Sequence, residues 1–325
     1  MTTNKTAAEI GSSASGLPTK LEHGPLFTGH MNNLTSDQEK ALAAFKESLT
    51  SVGLYKPASP ESESSHNDPT LLRFLRARSW DVTAAQKQFS DAEKWRAMHQ
   101  VDDLFISATM EELEDSKRFY PRWTGRRDKN GIPLYVYRLN SLEAIQNELY
   151  AIPAKTRYHR IIVLYELMTR FTFPLCSNLP RRIDPIPVSS TTTIIDLENV
   201  SFGSMWKLRH HLQEASKLST ANYPETLHSI AIVNSPSFFP TIWNWIKGWF
   251  DEGTRQKIHV LGRDLGSALR ELVDAENLPK VYGGELEWVF TDEPSLDGDT
   301  KQLIGEMPKG AVIFANGKTL PATST

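Results

Sequence analysis

The sequence predicts an α/β fold with a mainly parallel sheet, preceded by a smaller all-helical region. Three apolar, β-branched runs at 191–197, 230–234 and 258–261 have the length and composition of buried strands. Two stretches with helical spacing, 205–220 and 239–250, separate these runs. Strands joined by helical crossovers of this length lie parallel in one sheet.

The region before the sheet is predicted to be helical. A helix is expected over 36–49, followed by a Pro- and Ser-rich linker at 57–65. Asp68 is predicted to cap a short second helix, with Pro69 at the first helical position. Asp81 can cap a third helix in the same way.

The periodicity changes near residue 119, where the sheet region is expected to begin. The run at 132–139 follows a turn signal and resembles a strand, and 154–173 has helical spacing. We therefore expect four parts in the chain. They are a flexible arm over 1–34, a helical domain over 35–118, an α/β domain over 119–290 and a C-terminal extension over 291–325.

Composition excludes several classes of protein. The 325 residues carry a formal net charge of −3, which argues against a nucleic-acid partner. Cys176 is the only cysteine, so no intramolecular disulfide can form, and this thiol is expected to serve in packing. The N-terminal residues lack the apolar core of a secretory signal, and a cytoplasmic location is expected.

Signatures of the common α/β enzymes are missing from the sequence. There is no G-x-S-x-G elbow, phosphate-binding loop, dinucleotide fingerprint or H-E-x-x-H motif. His210 and His211 are neighbours, so on a helix they face different directions, and both are interpreted as surface residues rather than metal ligands. No catalytic residue and no metal site is therefore predicted.

An aromatic segment at 238–250 is the most unusual part of the chain. Its aromatic and apolar residues occupy every side of a helix, so they cannot all face one core. Such a segment either lines an apolar cavity, touches a membrane interface or is an ordinary buried helix. We interpret it as a lid over a lipid cavity, formed by Phe239, Ile242, Trp243, Trp245, Ile246, Trp249 and Phe250.

Charged and polar residues precede two of the predicted parallel strands. Glu225 comes before the strand at 230–234, and Thr254 and Lys257 come before the strand at 258–261. These residues should therefore meet at the amino-terminal edge of the sheet. They could hold a polyhydroxylated phosphate headgroup, although from spacing alone a structural salt bridge is favoured.

Six motifs in order along the chain resemble the CRAL-TRIO family, and within it the fungal phosphatidylinositol/phosphatidylcholine transfer branch. The likeness extends from about Ser36 to about Glu287. The motifs are LLRFLRARSWD at 71–81, EKWR at 93–96, FYP at 119–121, NYPE at 222–225, IVNSP at 232–236 and LPKVYGG at 278–284. The resemblance implies a bowl with a mainly parallel sheet as its floor, flanking helices and a gating helix that matches the aromatic segment.

The resemblance also implies a binding site for the phosphatidylinositol headgroup. Carried over residue by residue, this site falls on Arg78, Ser79, Glu225, Thr254 and Lys257. The family usually has lysine where this chain has Ser79, so one phosphate-binding cation is missing. A hydrogen bond to a charged group contributes roughly 1.5–3 kcal/mol, and its loss should weaken binding of the headgroup.

A choline-headgroup site is implied at Thr124, Tyr135, Thr191 and Thr193. The family has tyrosine at the position of Thr124 and serine at the position of Thr191. Because a choline cation prefers aromatic faces, phosphatidylcholine is the less secure of the two cargoes. The resemblance further implies a monomer without cofactor that visits Golgi or endosomal membranes transiently and presents phosphatidylinositol to a lipid kinase.

Two alternatives to phospholipid transfer remain open at this point. The departures at Ser79 and Thr124 motivate a carrier or sensor of another hydrophobe, such as a sterol or haem, in the same pocket. An α/β hydrolase or another enzyme is disfavoured, because the sequence lacks the corresponding nucleophile and phosphate-loop motifs.

Overall fold

A computed structural model describes residues 27–183, 185–250, 252–262 and 264–324. Its first part is helical, as predicted. The helices are α1 (Ser36–Ser51), α2 (Asp68–Ala77), α3 (Val82–His99), α4 (Val101–Ser107) and α5 (Met110–Ser116), followed by a 3-10 turn at Lys117–Phe119.

Side-chain caps begin the first three helices. Thr35 and Gln38 form a capping box at α1, and Asp81 accepts a hydrogen bond from the Ala84 amide at α3, as predicted. The predicted cap of α2 is wrong by one residue. Asn67 caps this helix by accepting from the Thr70 amide at 2.9 Å, and Asp68 is already helical.

A five-stranded sheet forms the second part. Its strands are β1 (Arg122–Arg127), β2 (Pro133–Arg138), β3 (Thr191–Asp196), β4 (Leu227–Val233) and β5 (Ile258–Val260), in that spatial order. Strands β2 to β5 pair in parallel, which confirms the prediction, and β1 pairs antiparallel with β2. The sequence of β1, RWTGRR, lacks an apolar run, and this strand was not predicted.

Helices cover the sheet and complete the second part. Between β2 and β4 these are α6 (Leu139–Ala144), α7 (Gln146–Ala151), α8 (Ala154–Leu167), a π-helical turn (Met168–Thr172), α9 (Phe173–Ser177) and α10 (Phe202–Asn222). After β4 they are α11 (Phe239–Ile246), a 3-10 turn (Lys247–Trp249), α12 (Glu252–Gln256), α13 (Leu265–Leu272) and 3-10 turns at Ala275–Asn277 and Lys280–Tyr282.

The C-terminal residues add a helix and a hairpin to the same body. The elements are α14 (Gly298–Ile304), the antiparallel pair β6 (Val312–Ala315) and β7 (Lys318–Pro321), and a 3-10 turn at Ala322–Ser324. Phe314 in β6 is buried, and Arg127 of β1 pairs with Asp297 at 2.8 Å. Among the described residues, no helix is long and apolar enough to cross a membrane.

A buried charge network joins the helical part to the sheet part. Glu166 of α8 is 1% exposed, and its carboxylate accepts from Arg96 of α3 at 2.8 Å and from the Tyr223 hydroxyl at 2.5 Å. Burial alone would raise the pKa of Glu166, but Arg96 and Arg170 hold it below its usual range. The carboxylate therefore stays charged, which secures the contact between the two parts.

The predicted flexible arm lies only partly within the described residues, since 1–26 are outside them. The last residues of this segment differ from the expectation. Phe27 is buried and stacks on His228, with ring centroids 5.2 Å apart, and Arg76 donates to the Gly29 carbonyl at 3.1 Å. A segment without periodicity gives no local signal of such packing, because its partners come from distant parts of the chain.

Candidate functional site

An apolar cavity of about 270 Å³ lies between one face of the sheet and the helices above it. The floor comes from alternate residues of the central strands, including Tyr137, Ile195 and Ile232, because successive side chains of a strand point to opposite faces. The walls come from α8, α10 and the aromatic segment. Other lining residues are Ile161, Leu164, Met168, Met205, Leu212, Ala215 and Ile230.

Four residues of the aromatic segment line this cavity: Phe239, Ile246, Trp249 and Phe250. The regular helix ends at Ile246 and continues as a 3-10 turn, so it is shorter than the predicted helix over 239–250.

The other three predicted lid residues lie elsewhere. Ile242 and Trp243 are buried against the core, and Trp243 is 7% exposed. Trp245 is 41% exposed and makes edge-to-face contacts with Phe202 and Trp206 of α10, at 5.4 Å and 5.3 Å between ring centroids. The segment therefore has a cavity face, a core face and a solvent face.

A second, polar cavity of about 30 Å³ adjoins the first. Four of the five residues carried over as a headgroup site line it: Arg78, Glu225, Thr254 and Lys257. The two cavities are adjacent, since Ser219, Thr226, Leu227 and Phe250 line both of them.

Parallel strands bring the polar residues together, as the sequence indicated. Glu225 precedes β4 and Lys257 precedes β5, and these strands pair in parallel, so both residues lie at the amino-terminal edge of the sheet. The Lys257 ammonium donates to the Glu225 carboxylate at 2.8 Å. The Arg76 guanidinium approaches the same oxygen at 4.0 Å, and burial lowers the pKa of Arg76 to about 10 while Glu225 opposes that shift.

Ser79 is not among the residues that line the polar cavity. It is exposed, and its φ of 50° places it in the left-handed turn that follows α2. Its backbone amide donates to the Arg76 carbonyl at 3.0 Å. Arg78, one residue earlier, does reach the cavity, so the end of α2 contributes a cation there.

Three of the four residues carried over as a choline site line the apolar cavity: Tyr135, Thr191 and Thr193. Thr191 and Thr193 share a hydrogen bond at 3.2 Å, and burial raises the pKa of Tyr135. The fourth residue, Thr124, is fully buried in β1. Its hydroxyl donates to the Leu134 carbonyl at 3.0 Å and accepts from the Arg126 amide. Thr124 therefore stabilises the sheet edge and does not line the cavity.

His211 lines the apolar cavity and is 3% exposed, so its interpretation as a surface residue is wrong. His210 is exposed, as predicted. The spacing of Leu208, His211, Leu212 and Ala215 places all four on one face of α10, and this pattern could have indicated burial. Cys176 is buried, as expected, and burial raises the pKa of its thiol to about 12. Across the described ranges, no cluster of His, Cys, Asp and Glu could hold a metal ion.

Comparisons with known proteins agree with this architecture. The CRAL/TRIO domain model matches residues 120–284, and the model of the CRAL/TRIO N-terminal domain matches residues 33–91. The crystal structure of Sfh5 superposes with a TM-score of 0.60 at 17% identity, covering 82% of this chain and 93% of that one. At this identity the likeness concerns the fold.

Curated relatives are more similar in sequence. The Sec14 cytosolic factor of Schizosaccharomyces pombe is 33% identical over 260 residues, which is 80% of this chain and 86% of the relative. The SEC14 cytosolic factor of Kluyveromyces lactis is 34% identical over 80% of this chain and 82% of the relative. A phosphatidylinositol/phosphatidylcholine transfer protein of Arabidopsis thaliana is 34% identical over 87% of this chain and 49% of its own length. With two matching domain models and these relatives, the chain belongs to the CRAL/TRIO family and is a homologue of the fungal Sec14 cytosolic factors.

Proposed function

We propose that this protein binds one phosphatidylinositol molecule and transfers it between membranes. The observation that carries the proposal is the adjacency of the polar and apolar cavities, which share Ser219, Thr226, Leu227 and Phe250 as lining residues. A phospholipid has the same division, with a charged headgroup joined to apolar chains. Relatives named as phosphatidylinositol/phosphatidylcholine transfer proteins support this choice of cargo.

The polar cavity supplies complementary groups for an inositol phosphate. Lys257 and Arg78 are cations that can bind the phosphate, and Thr254 offers a hydroxyl. Glu225 can accept hydrogen bonds from the inositol hydroxyls once Lys257 turns toward the phosphate. Ser79 does not line this cavity. Having serine in place of the family's lysine therefore removes a cation from beside the cavity and not from its lining.

Release of the lipid requires the aromatic segment to move. Its residues Phe239, Ile246, Trp249 and Phe250 line the cavity, and Trp245 faces solvent beside Trp206. Tryptophan is favoured at the boundary between lipid headgroups and acyl chains. We infer that this exposed aromatic surface contacts the membrane while the segment opens.

A second cargo shares the apolar cavity in this proposal. Tyr135, Thr191 and Thr193 remain available to a choline headgroup, but Thr124 is committed to the backbone of β1. With one aromatic ring instead of two, phosphatidylcholine should bind more weakly than phosphatidylinositol. A sterol or haem carrier is the alternative function, and the incomplete choline site is the observation that favours it.

We infer a monomeric, non-catalytic carrier without cofactor that acts in the cytoplasm, in line with relatives named cytosolic factors. It would visit Golgi or endosomal membranes transiently and present phosphatidylinositol to a lipid kinase.

Lipid mass spectrometry tests the cargo. The purified protein is incubated with vesicles of mixed phospholipids and sterol, separated from them and extracted. Recovery of nearly one phosphatidylinositol per protein is expected. Recovery of another hydrophobe without phosphatidylinositol would refute the proposed cargo, and a visible absorption band would identify haem. Reaction of a single serine with a fluorophosphonate probe would contradict the absence of catalysis.

A further inference from the structure

His211 is a polar residue in the lining of the mainly apolar cavity. It lies on α10, is 3% exposed, and contributes to the cavity lining. Among the described residues, neither of its ring nitrogens has a hydrogen-bond partner. A buried polar group without a partner destabilises the protein, so such a group in a binding cavity points to a partner on the ligand.

Neighbouring side chains do not satisfy the imidazole. The Tyr120 ring contacts His211 with centroids 5.4 Å apart, but the Tyr120 hydroxyl donates to the Arg157 carbonyl at 3.3 Å. The Tyr137 hydroxyl donates to the Phe119 carbonyl at 3.1 Å. Both hydroxyl protons at this end of the cavity are thus committed to backbone oxygens.

The imidazole is neutral under ordinary conditions. Burial lowers the pKa of His211 to about 4, and the nearby Arg157 cation adds to this effect. A neutral imidazole has one N–H donor and one acceptor nitrogen. It therefore suits a hydroxyl, which can both donate and accept, or a carbonyl, which can accept from the N–H.

The position of His211 separates it from the polar cavity. Ser219 lines both cavities, and it follows His211 by eight residues on the same helix. At 1.5 Å rise per residue, the two positions are about 12 Å apart along α10. An acyl chain that follows α10 from a headgroup beside Ser219 and Lys257 would therefore pass His211 beyond its ester groups.

We propose that His211 is a second polar recognition point, which selects a hydrophobic ligand carrying a hydroxyl or carbonyl within its apolar part. Two sources share this chemistry: an oxygenated acyl chain of a phospholipid, and a separate hydrophobe with a single hydroxyl, such as a sterol. The acyl-chain source rests on the proposed phosphatidylinositol site, whereas the second source does not.

A matched pair of lipids tests the first source. Vesicles contain equal amounts of phosphatidylinositol with a ricinoleoyl chain and with an oleoyl chain, which differ by one mid-chain hydroxyl. The protein is incubated with them, and the ratio of the two bound lipids is measured by mass spectrometry. We expect the ricinoleoyl form to be enriched about twofold to tenfold, the value of one hydrogen bond. A second arm uses vesicles that contain cholesterol.

Variants test whether His211 causes the preference for the ricinoleoyl lipid. His211→Leu should lower the ratio to one, and His211→Gln, which keeps a donor and an acceptor, should retain part of the enrichment. His210→Leu changes the exposed neighbour and should leave the ratio unchanged. Because the ratio compares two lipids in one sample, a partial loss of folded protein does not alter it.

The two proposals fail in different ways. A ratio of one in the unaltered protein, together with cholesterol binding that His211→Leu does not reduce, would overturn the role of His211. Cholesterol binding that depends on His211, without a ricinoleoyl preference, would support the site and assign the separate hydrophobe as its source. If the protein binds neither the ricinoleoyl nor the oleoyl form of phosphatidylinositol, the proposed function is refuted. The cholesterol arm still decides the role of His211 in that case.

Discussion

Replacing Lys257 by alanine should reduce phosphatidylinositol binding much more than it reduces stability. Lys257 pairs with Glu225 at 2.8 Å, and their side chains are 26% and 19% exposed. A partly solvated pair of this kind contributes about 1 kcal/mol or less to the free energy of unfolding. Arg76 remains 4.0 Å from Glu225 and limits the cost of the substitution further.

Binding should respond more strongly, because the lipid phosphate needs the Lys257 cation. A hydrogen bond to a charged group contributes roughly 1.5–3 kcal/mol. Its loss corresponds to an increase in Kd of roughly 10-fold to 150-fold. The variant should therefore lose most phosphatidylinositol transfer at limiting lipid, while uptake of a cargo without this headgroup contact is retained.

The assay measures transfer of labelled phosphatidylinositol and labelled phosphatidylcholine between vesicles, alongside chemical unfolding. Lys87→Ala is the control, because Lys87 is 79% exposed and pairs with Asp91 at 2.7 Å on the surface of the same helix. This substitution should leave the transfer rates of both lipids unchanged. Equal loss of both lipids by Lys257→Ala, or a fall of several kcal/mol in its unfolding free energy, would refute the reasoning and assign Lys257 a structural role.

Four further predictions concern the surroundings of single residues. Trp243→Ala should lower the unfolding free energy by about 3–5 kcal/mol, since Trp243 is buried. Trp245→Ala should cost about 1 kcal/mol or less but slow lipid exchange, and an unchanged transfer rate would contradict its membrane role. Gly284→Ala should destabilise by about 2–3 kcal/mol, because its Cβ would lie 1.9 Å from the Leu278 carbonyl oxygen, whereas Gly298→Ala meets open space. His211 has a folded pKa of about 4 against an ordinary 6.5, so unfolding takes up a proton between these values. Stability should thus fall as pH drops from 6.5 to 4, by about 3 kcal/mol from this group, and His211→Leu should flatten that part of the titration curve.

Residues with a clear local pattern were predicted well. The first five residues of Thr191–Asp196 are β-branched, and Phe202–Asn222 has a continuous helical period, so these elements follow from short-range preferences. Strand β1 lacks such a pattern, and pairing with β2 alone makes it a strand. The cap of α2 was displaced by one residue because Asn67 and Asp68 are both good caps and only the backbone conformation distinguishes them.

Membership of the candidate site was only partly predictable. The position of Glu225 and Lys257 at one sheet edge follows from strand direction, and that can be inferred from the order of strands and helices. Ser79 and Thr124 match family positions in sequence, yet neither is among the described residues that line the apolar or the polar cavity. Their side-chain directions depend on a left-handed turn and on a register shift in β1, which are not encoded in residue spacing.

By itself, the sequence determined the α/β class, the parallel order of the main strands and the edge where the polar residues meet. These features depend on periodicity and chain direction, which are local properties. Only the tertiary structure decided that His211 lies in the cavity, that Phe27 stacks on His228 and that Trp243 and Trp245 have opposite environments. Each of those outcomes depends on which distant element covers a given side chain, and that is set by how helices and sheet pack together.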